Sequence, residues 1–476
     1  MEFGQNPKAF VNKLVPVGFV CRELFQPIAL VFGNGLEVPV LLEAKAMTSA
    51  AMNELMTRVG PGTGAGAVLR RFWHPVAICE ELEENRPVRP VTVFGERLVL
   101  FRDVEGRLGL IGRHCPHRGA DLCYGRLEDG GLRCPFHGWL FDLMGQCLET
   151  PAEPENSSLR HRVHHSHYPV IEKNGMIFAY LGEGDPPPFP NLDCLAAPET
   201  HSFAFKGFVD CNWLQLLEVG IDPAHASYLH RFLEDEEEEA YGLQFRDAVD
   251  AIPTTKLMRD YPRPTIKVER TDFGSAVTTI RNLDNGGMHV RMTNQIFPTA
   301  IIIPFSKEMT VTQWHVPVDD VTSYWYAMFT SFGAPVDRAV MRAQRLELYA
   351  LPHYIPRVGK ANDYGFDPVE QRARTYTGMG DDINVHDQWA VESQGAIQDR
   401  TTETLGTSDI VISEYRKRLV GEIRDWQRGQ PRAVPKAHPR PICIDAIAPL
   451  DQWQSVCQER DRERRARSDW ACETAN

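Results

Sequence analysis

The chain has 476 residues, of which 43% are hydrophobic and 24% charged, so disordered and fibrous classes are excluded and two or three cores can form. A net charge of −13 argues against nucleic acid or an anionic membrane as partner. Eleven cysteines, an odd and scattered set, read as free thiols in a reducing compartment rather than as a disulfide scaffold.

Residues 1–65 read as an N-terminal extension and linker, and the first ~45 could be an upstream extension. The apolar stretch from Leu14 to Phe32 has Arg22 and Glu23 in its middle, costly in a bilayer. No basic flank or small-residue cleavage site frames it, so a cytoplasmic protein without a membrane partner is expected. A Gly-rich run, Gly60-Pro61-Gly62-Thr63-Gly64-Ala65-Gly66, closes this part.

Residues 66–185 read as a small antiparallel β domain, with strands at Val91–Phe94, Arg97–Phe101, Leu108–Ile111 and Met176–Tyr180. The tandem His161, His164, His165 and His167 run into Tyr168-Pro-Val170, which reads as exposed imidazoles leading into a strand. The run Pro186-Pro187-Pro188-Phe189-Pro190 marks a boundary. Residues 186–430 read as an α+β domain with a large antiparallel sheet, from strands at Ser275–Ile280, Met288–Ile296, Ala300–Ile303, Met309–Val316 and Ser323–Phe329. Helices flank it. The clearest spans Asp409–Trp426, with Ile412, Tyr415, Leu419, Ile423 and Trp426 at helical spacing behind Thr407-Ser408-Asp409. Residues 431–476 form a tail whose sign-alternating run Glu459–Arg465 reads as a solvated helix or arm. The acidic run Glu234–Glu239 reads as a solvated loop, or as a surface for a basic reductase.

Two motifs carry the first chemistry, Cys115-Pro-His117-Arg-Gly-Ala and Cys134-Pro-Phe-His137-Gly-Trp139. Two thiolates and two imidazoles can hold a Rieske [2Fe-2S] cluster, the imidazoles replacing both cysteines on one iron. Zinc would accept the same donors. Zinc modules, however, pair cysteines with cysteines and histidines with histidines, whereas each half here mixes the two. Glycines in both loops let backbone N–H groups approach the sulfurs.

The second constellation is Glu218-Val-Gly-Ile-Asp222-Pro-Ala-His225-Ala-Ser-Tyr-Leu-His230. Pro223 suits a first helical turn, which makes Asp222 an expected N-cap with His225 in the opening turn. A regular helix would rotate His230 about 140° from His225, so a shared ligand requires a break. Two histidines and one carboxylate form the ligand set of non-haem Fe(II) oxygenases, and a one-electron cluster needs such an acceptor. Asp381, Asp382, Asp387 and Glu392 all offer the carboxylate, and spacing does not choose among them.

Together with Asp387-Gln-Trp-Ala-Val-Glu392-Ser-Gln-Gly395 and Asp399-Arg400-Thr401-x-Glu403-x-Leu405-Gly406-Thr407, these motifs resemble the large subunits of Rieske non-haem iron aromatic ring-hydroxylating oxygenases, in the phthalate dioxygenase-like branch. The resemblance spans Phe72 to Leu419. It implies a Rieske domain followed by a helix-grip catalytic domain, assembled head to tail as a homotrimer or stacked trimers. It implies Cys115, His117, Cys134 and His137 on the cluster, and His225, His230 and Asp387 on a mononuclear Fe(II). Asp222 resembles the family's bridging aspartate, linking His225 to the neighbouring subunit's His137.

The implied activity uses O2 and two electrons to hydroxylate an aromatic substrate, an aromatic carboxylate or a related compound. O-demethylation of an aryl ether is the alternative within the same ligand set, and an electron carrier with a vestigial second domain the alternative of another class. No nicotinamide or flavin fingerprint is present, so NAD(P)H acts only through a separate reductase or ferredoxin. Trp213, Leu217, Met292, Asn294, Ile296 and Phe297 are candidate pocket residues. Arg281 and Arg291 are candidates for clamping a carboxylate.

Overall fold

A computed structural model describes residues 48–471, apart from 83–84, 236–247, 250–251 and 436–439, and in addition residues 29–31 and 37–39. The chain divides into Met1–Met47 and Thr48–Asn476. In the first unit Ala29–Val31 and Glu37–Pro39 pair antiparallel. Most of the Leu14–Phe32 stretch and of the acidic run Glu234–Glu239 lies outside the described residues. Among the described residues no helix is long and apolar enough to cross a membrane.

The second unit opens with two short helices, Ala50–Thr57 and Gly64–Leu69, where a linker was expected, and a β domain of three small antiparallel sheets follows. Trp73–Ile78, Met176–Tyr180 and Val170–Lys173 form one, Val88–Val93, Glu96–Arg102 and Leu108–Gly112 the second. Arg126–Glu128, Gly131–Arg133, Leu140–Phe141 and Cys147–Glu149 form the third. The strand expected to reach Phe94 stops at Val93. Phe94 (φ 51°) and Gly95 (φ 74°) make the two-residue turn, which needs positive φ at both positions to match strand twist.

Beyond the prolines lies an eight-stranded sheet in the order Ser202–Val209, Ser323–Ser331, Met309–Pro317, Ala300–Pro304, Gly287–Ile296, Gly274–Asn282, Thr265–Thr271, with Ile444–Pro449 also paired to Gly287–Ile296. The strand period of two splits its residues between faces. Register puts Arg281 opposite His289, Arg291 opposite Asp445 and Ile301 opposite Gln313, all on one face. Ile280, Met288, Val290 and Ile444 take the other face and pack with Cys457. The helix expected at Asp409–Trp426 spans Ile410–Gln427 and buries Val411, Ile412, Tyr415, Leu419 and Ile423.

The tail departs from expectation. Ile444–Pro449 is a strand of the main sheet, and the helix Trp453–Arg467 packs on it through Trp453, Val456 and Cys457. The alternating charges are not simply solvated, because Arg464 and Arg465 pair with the buried Asp461 at 2.5 and 2.9 Å, and Arg465 also reaches Asp193 at 2.8 Å. Asp445 fixes the strand to the sheet by pairing with both His289 and Arg291.

Burial opposes the Asp445 charge, but His289 and Arg291 outweigh it and hold the carboxyl at about 2. Asp445→Ala leaves Arg291 without its buried counter-charge and His289 without its hydrogen-bond acceptor, and is expected to cost about 3 kcal/mol, read as a lower denaturant midpoint. Because the folded pKa is depressed, the stabilisation in the unaltered protein is complete above the unfolded value of about 4. It is lost as pH falls through about 2.

Candidate metal centres and catalytic site

Both cysteine loops fold the same way. The Cys115 N–H donates to Ala120 O at 2.8 Å, and Gly119 N–H to Cys115 O at 2.8 Å. The second loop repeats this with Cys134 N–H to Trp139 O at 2.8 Å and Gly138 N–H to Cys134 O at 3.0 Å. Gly119 and Gly138 both sit at φ 76°, a left-handed conformation that favours glycine.

The loops bring their donors together. Cys115 and Cys134 pack in one buried cluster with Trp139 and Phe141. The rings of His117 and His137 stand 4.5 Å apart, and Trp139 stacks on His117 at 4.6 Å. Burial pushes the Cys115 thiol up to about 11, so a metal held there would have to displace its proton. Both cysteines are buried while His117 lies at the surface, so the imidazole edge faces outward. The histidine tract beyond it contributes to no metal-holding group among the described residues.

The second constellation forms at a helix end, not at a helix start. Trp213–Ile221 is capped by Asn212, which accepts from Leu214 N–H, and it stops at Asp222 as its C-cap. The expected N-cap role is therefore corrected, because Pro223 follows where the helix has already ended and the chain turns instead. Asp222 Oδ1 accepts from Ala224 N–H at 2.8 Å, and His225–Ser227 forms a single 3-10 turn. That break supplies what a continuous helix would forbid, with His225 Nε2 and His230 Nε2 3.2 Å apart.

Of the four candidate carboxylates, Asp387 completes the group, its Oδ1 3.3 Å from His230 Nε2 and 3.7 Å from His225 Nε2. All three ligand atoms lie within 4.8 Å of one another. Donors about 2.1 Å from a common ion stand about 3 Å apart, so these residues fit a metal. Burial works to raise the Asp387 carboxyl, but His230 and then His225 outweigh it and hold it below the usual carboxylate range. The rivals are occupied elsewhere. Asp382 caps the helix Ile383–Glu392 through Asn384 N–H at 2.7 Å, and Asp381 pairs with Arg374. Glu392 accepts from Asp210 N–H at 2.9 Å and Tyr364 Oη at 2.8 Å.

The Asp399–Thr407 motif is structural. Arg400, fully buried, and Arg416 hold Glu218 at 2.8 and 2.5 Å, and Arg416 also pairs with Glu403. This ties the helix that leads to Asp222 onto the helix Ile410–Gln427. Arg400→Ala leaves Glu218 buried with half its counter-charge, and about 3–5 kcal/mol of stability should be lost in denaturant unfolding.

Of the pocket candidates, Trp213 and Leu217 are packed in the central core with Ile296 and Phe297. Phe297 lies under Arg418 and against Tyr415. Met292 and Asn294 share strand parity with Val290, on the face turned from the ligands, and Asn294 is bonded to Ile442 O at 2.9 Å. Arg291 is taken by Asp445 and Pro304 O. Arg281 alone of these reaches the ligand loop, with Nη2 3.5 Å from Ser227 Oγ.

Residues missed in the sequence are Gln313, His315 and Asn384, which line a cavity of about 40 Å³ beside Asp387. Burial pushes His315 down to about 4, and its Nδ1–H donates to Thr299 O at 3.2 Å. Gly220 permits this close packing, since a Cβ there would stand 2.7 Å from Ile301. Strand alternation in Met309–Pro317 is the one signal for Gln313 and His315, and Asn384 lies on the helix Ile383–Glu392 that carries Asp387.

A family model described as the Rieske [2Fe-2S] domain matches residues 72–169, and one described as LigXa C-terminal domain like matches residues 179–468. The chain belongs to the Rieske non-haem iron oxygenases. The phthalate 4,5-dioxygenase oxygenase subunit of Pseudomonas putida is 32% identical, over 90% of this chain and 98% of that protein. The 5,5'-dehydrodivanillate O-demethylase oxygenase subunit of Sphingobium sp. is 31% identical, over 85% and 86%.

Among solved structures, Pseudomonas putida CBB5 NdmA with caffeine matches with a TM-score of 0.54 at 18% identity, over 77% of this chain and 95% of that one. The oxygenase in a reduced complex with ferredoxin from carbazole 1,9a-dioxygenase matches with a TM-score of 0.52 at 20% identity, over 78% and 94%. These structures share the fold. As a Rieske oxygenase component of the phthalate dioxygenase-like branch, the chain works with a [2Fe-2S] cluster, a mononuclear iron and O2. It is the oxygenase component of a multicomponent system, as are its relatives named oxygenase subunits.

Proposed function

We propose that His225, His230 and Asp387 hold the mononuclear Fe(II), and that Cys115, His117, Cys134 and His137 hold the cluster. The convergence of two imidazoles and one carboxylate within 4.8 Å carries this reading. The iron centres supply electron transfer and O2 activation. The chain's own residues set the ligand geometry, keep the site dry and orient the substrate. In the proposed assembly, a homotrimer or stacked trimers, Asp222 links His225, whose Nδ1–H its main-chain O accepts at 2.5 Å, to the neighbouring subunit's His137, whose imidazole N–H its carboxylate accepts. The same reading places the protein in the cytoplasm.

The substrate proposed is an aromatic carboxylate, with Arg281 taking its acid group. Arg281 is only 1% exposed and, among the described residues, no carboxylate is hydrogen-bonded to it. A second reading, O-demethylation of an aryl ether, is favoured by the O-demethylase name of one relative. A single turnover of the reduced protein with labelled O2 separates them. Two labels on adjacent ring carbons mean dioxygenation, one label with formaldehyde means demethylation, and no product across aromatic acids and ethers at full iron loading rejects both.

A further inference from the structure

Among the described residues, three buried polar atoms on the sheet face that meets the ligand loop have no hydrogen-bond partner: Thr279 Oγ1, Arg281 Nη1 and His289 Nδ1. They are neighbours. Thr279 and Arg281 are two apart on one strand, and Arg281 stands directly opposite His289 on the next, which sets their Cβ atoms about 5 Å apart. A buried orphan forfeits its hydration with nothing in return, and native proteins leave few of them. Three on one patch call for a partner from outside the chain.

The chain has prepared two of these groups. Arg281 keeps a guanidinium in the interior, where burial pushes it down to about 10, and spends Nε on Tyr261 O at 3.1 Å and Nη2 on Ser227 Oγ at 3.5 Å. Ser227 lies between His225 and His230, so the patch borders the proposed iron ligands. His289 is fully buried, and its Nε2–H goes to Asp445, whose other oxygen takes Arg291. The carboxylate fixes the ring and leaves Nδ1 over. An imidazole held at one nitrogen by an aspartate, with the other unused, is an oriented hydrogen-bonding group.

We propose that this patch is a substrate subsite for an aromatic acid carrying a hydroxyl next to its carboxylate. Arg281 Nη1 donates to the carboxylate, His289 Nδ1 and Thr279 Oγ1 bond the hydroxyl, and Asp445 positions His289. A hydroxyl both donates and accepts, so it satisfies Nδ1 whether or not that nitrogen carries a proton. The inference rests on the aromatic-oxygenase reading above and goes beyond it by naming the second substituent.

The test compares benzoate with 2-hydroxybenzoate as probes of the iron-loaded protein, by calorimetric Kd. The variants are His289→Gln, whose amide N–H still reaches toward Asp445 while Nδ1 is deleted, and the near-isosteric Thr279→Val. Iron content and cluster absorption confirm that both remain assembled. The unaltered protein should prefer the hydroxy acid by about tenfold. His289→Gln should bring the ratio close to one with the benzoate Kd unchanged, and Thr279→Val should lower it about threefold.

A ratio untouched in both variants overturns the subsite, as does an unaltered protein that shows no preference or binds neither acid. Substrate-stimulated O2 uptake, measured on the same samples with neutral aromatics included, reports separately. If no aromatic stimulates it, the oxygenase reading fails whatever the binding ratio shows.

Discussion

Asp387→Ala is expected to carry about two iron atoms per chain where the unaltered protein carries about three, with the cluster spectrum unchanged and product formation lost. The carboxylate supplies the one anionic donor of the proposed triad, its Oδ1 3.3 and 3.7 Å from the two imidazoles. Two neutral imidazoles on a loop that depends on a single 3-10 turn cannot hold a divalent ion as tightly as three donors. The cluster loops belong to a different sheet system, so the variant should still accept electrons from a chemical reductant. Product loss then reports on the mononuclear site alone. Asp382→Ala is the control. It removes a helix cap, worth about 1 kcal/mol, and should leave iron content unchanged. Retention of about three irons in Asp387→Ala would mean that the ligand is another group.

The parts of the molecule legible in the sequence are those whose chemistry is local. The cluster loops declare themselves because both ligands and the turn glycines sit within a few residues, and the pair His225 and His230 declares that a helix must break. Spacing did not single out Asp387 from Asp381, Asp382 and Glu392; only the family resemblance pointed to it. What separates them is the partner each finds in the folded chain, Arg374 for Asp381, Asn384 N–H for Asp382 and Tyr364 for Glu392. Strand alternation tells that Asn294 and Arg291 point opposite ways, but not which face meets the ligand loop. That is why Met292 and Asn294 entered the pocket list while Gln313 and His315 did not. In the tail, the conspicuous Glu459–Arg465 charges masked the quieter signal, Ile442, Ile444 and Ala446 alternating into a strand.

Asp222→Asn is the sharper test of how the two centres communicate. The amide oxygen can still accept from Ala224 N–H, the 2.8 Å bond that shapes the turn before His225, so the loop should fold and both metals should bind. His225 Nδ1 stays anchored regardless, because it donates to the main-chain O of Asp222 at 2.5 Å, whereas the carboxylate Oδ2 lies 4.0 Å from that nitrogen. The side chain is thus largely spared from work within its own subunit. Burial also raises the Asp222 carboxyl, a cost that a bridge to imidazole N–H groups would offset. Asn can present an N–H where the bridge needs an acceptor, so the neighbouring subunit's His137 loses its partner. Turnover should fall about 10- to 100-fold, with about three irons per chain retained. The reduced cluster should also reoxidise more slowly when the variant is mixed with substrate and O2. Reoxidation at the unaltered rate would reduce Asp222 to a turn residue and remove the carboxylate from the path between subunits.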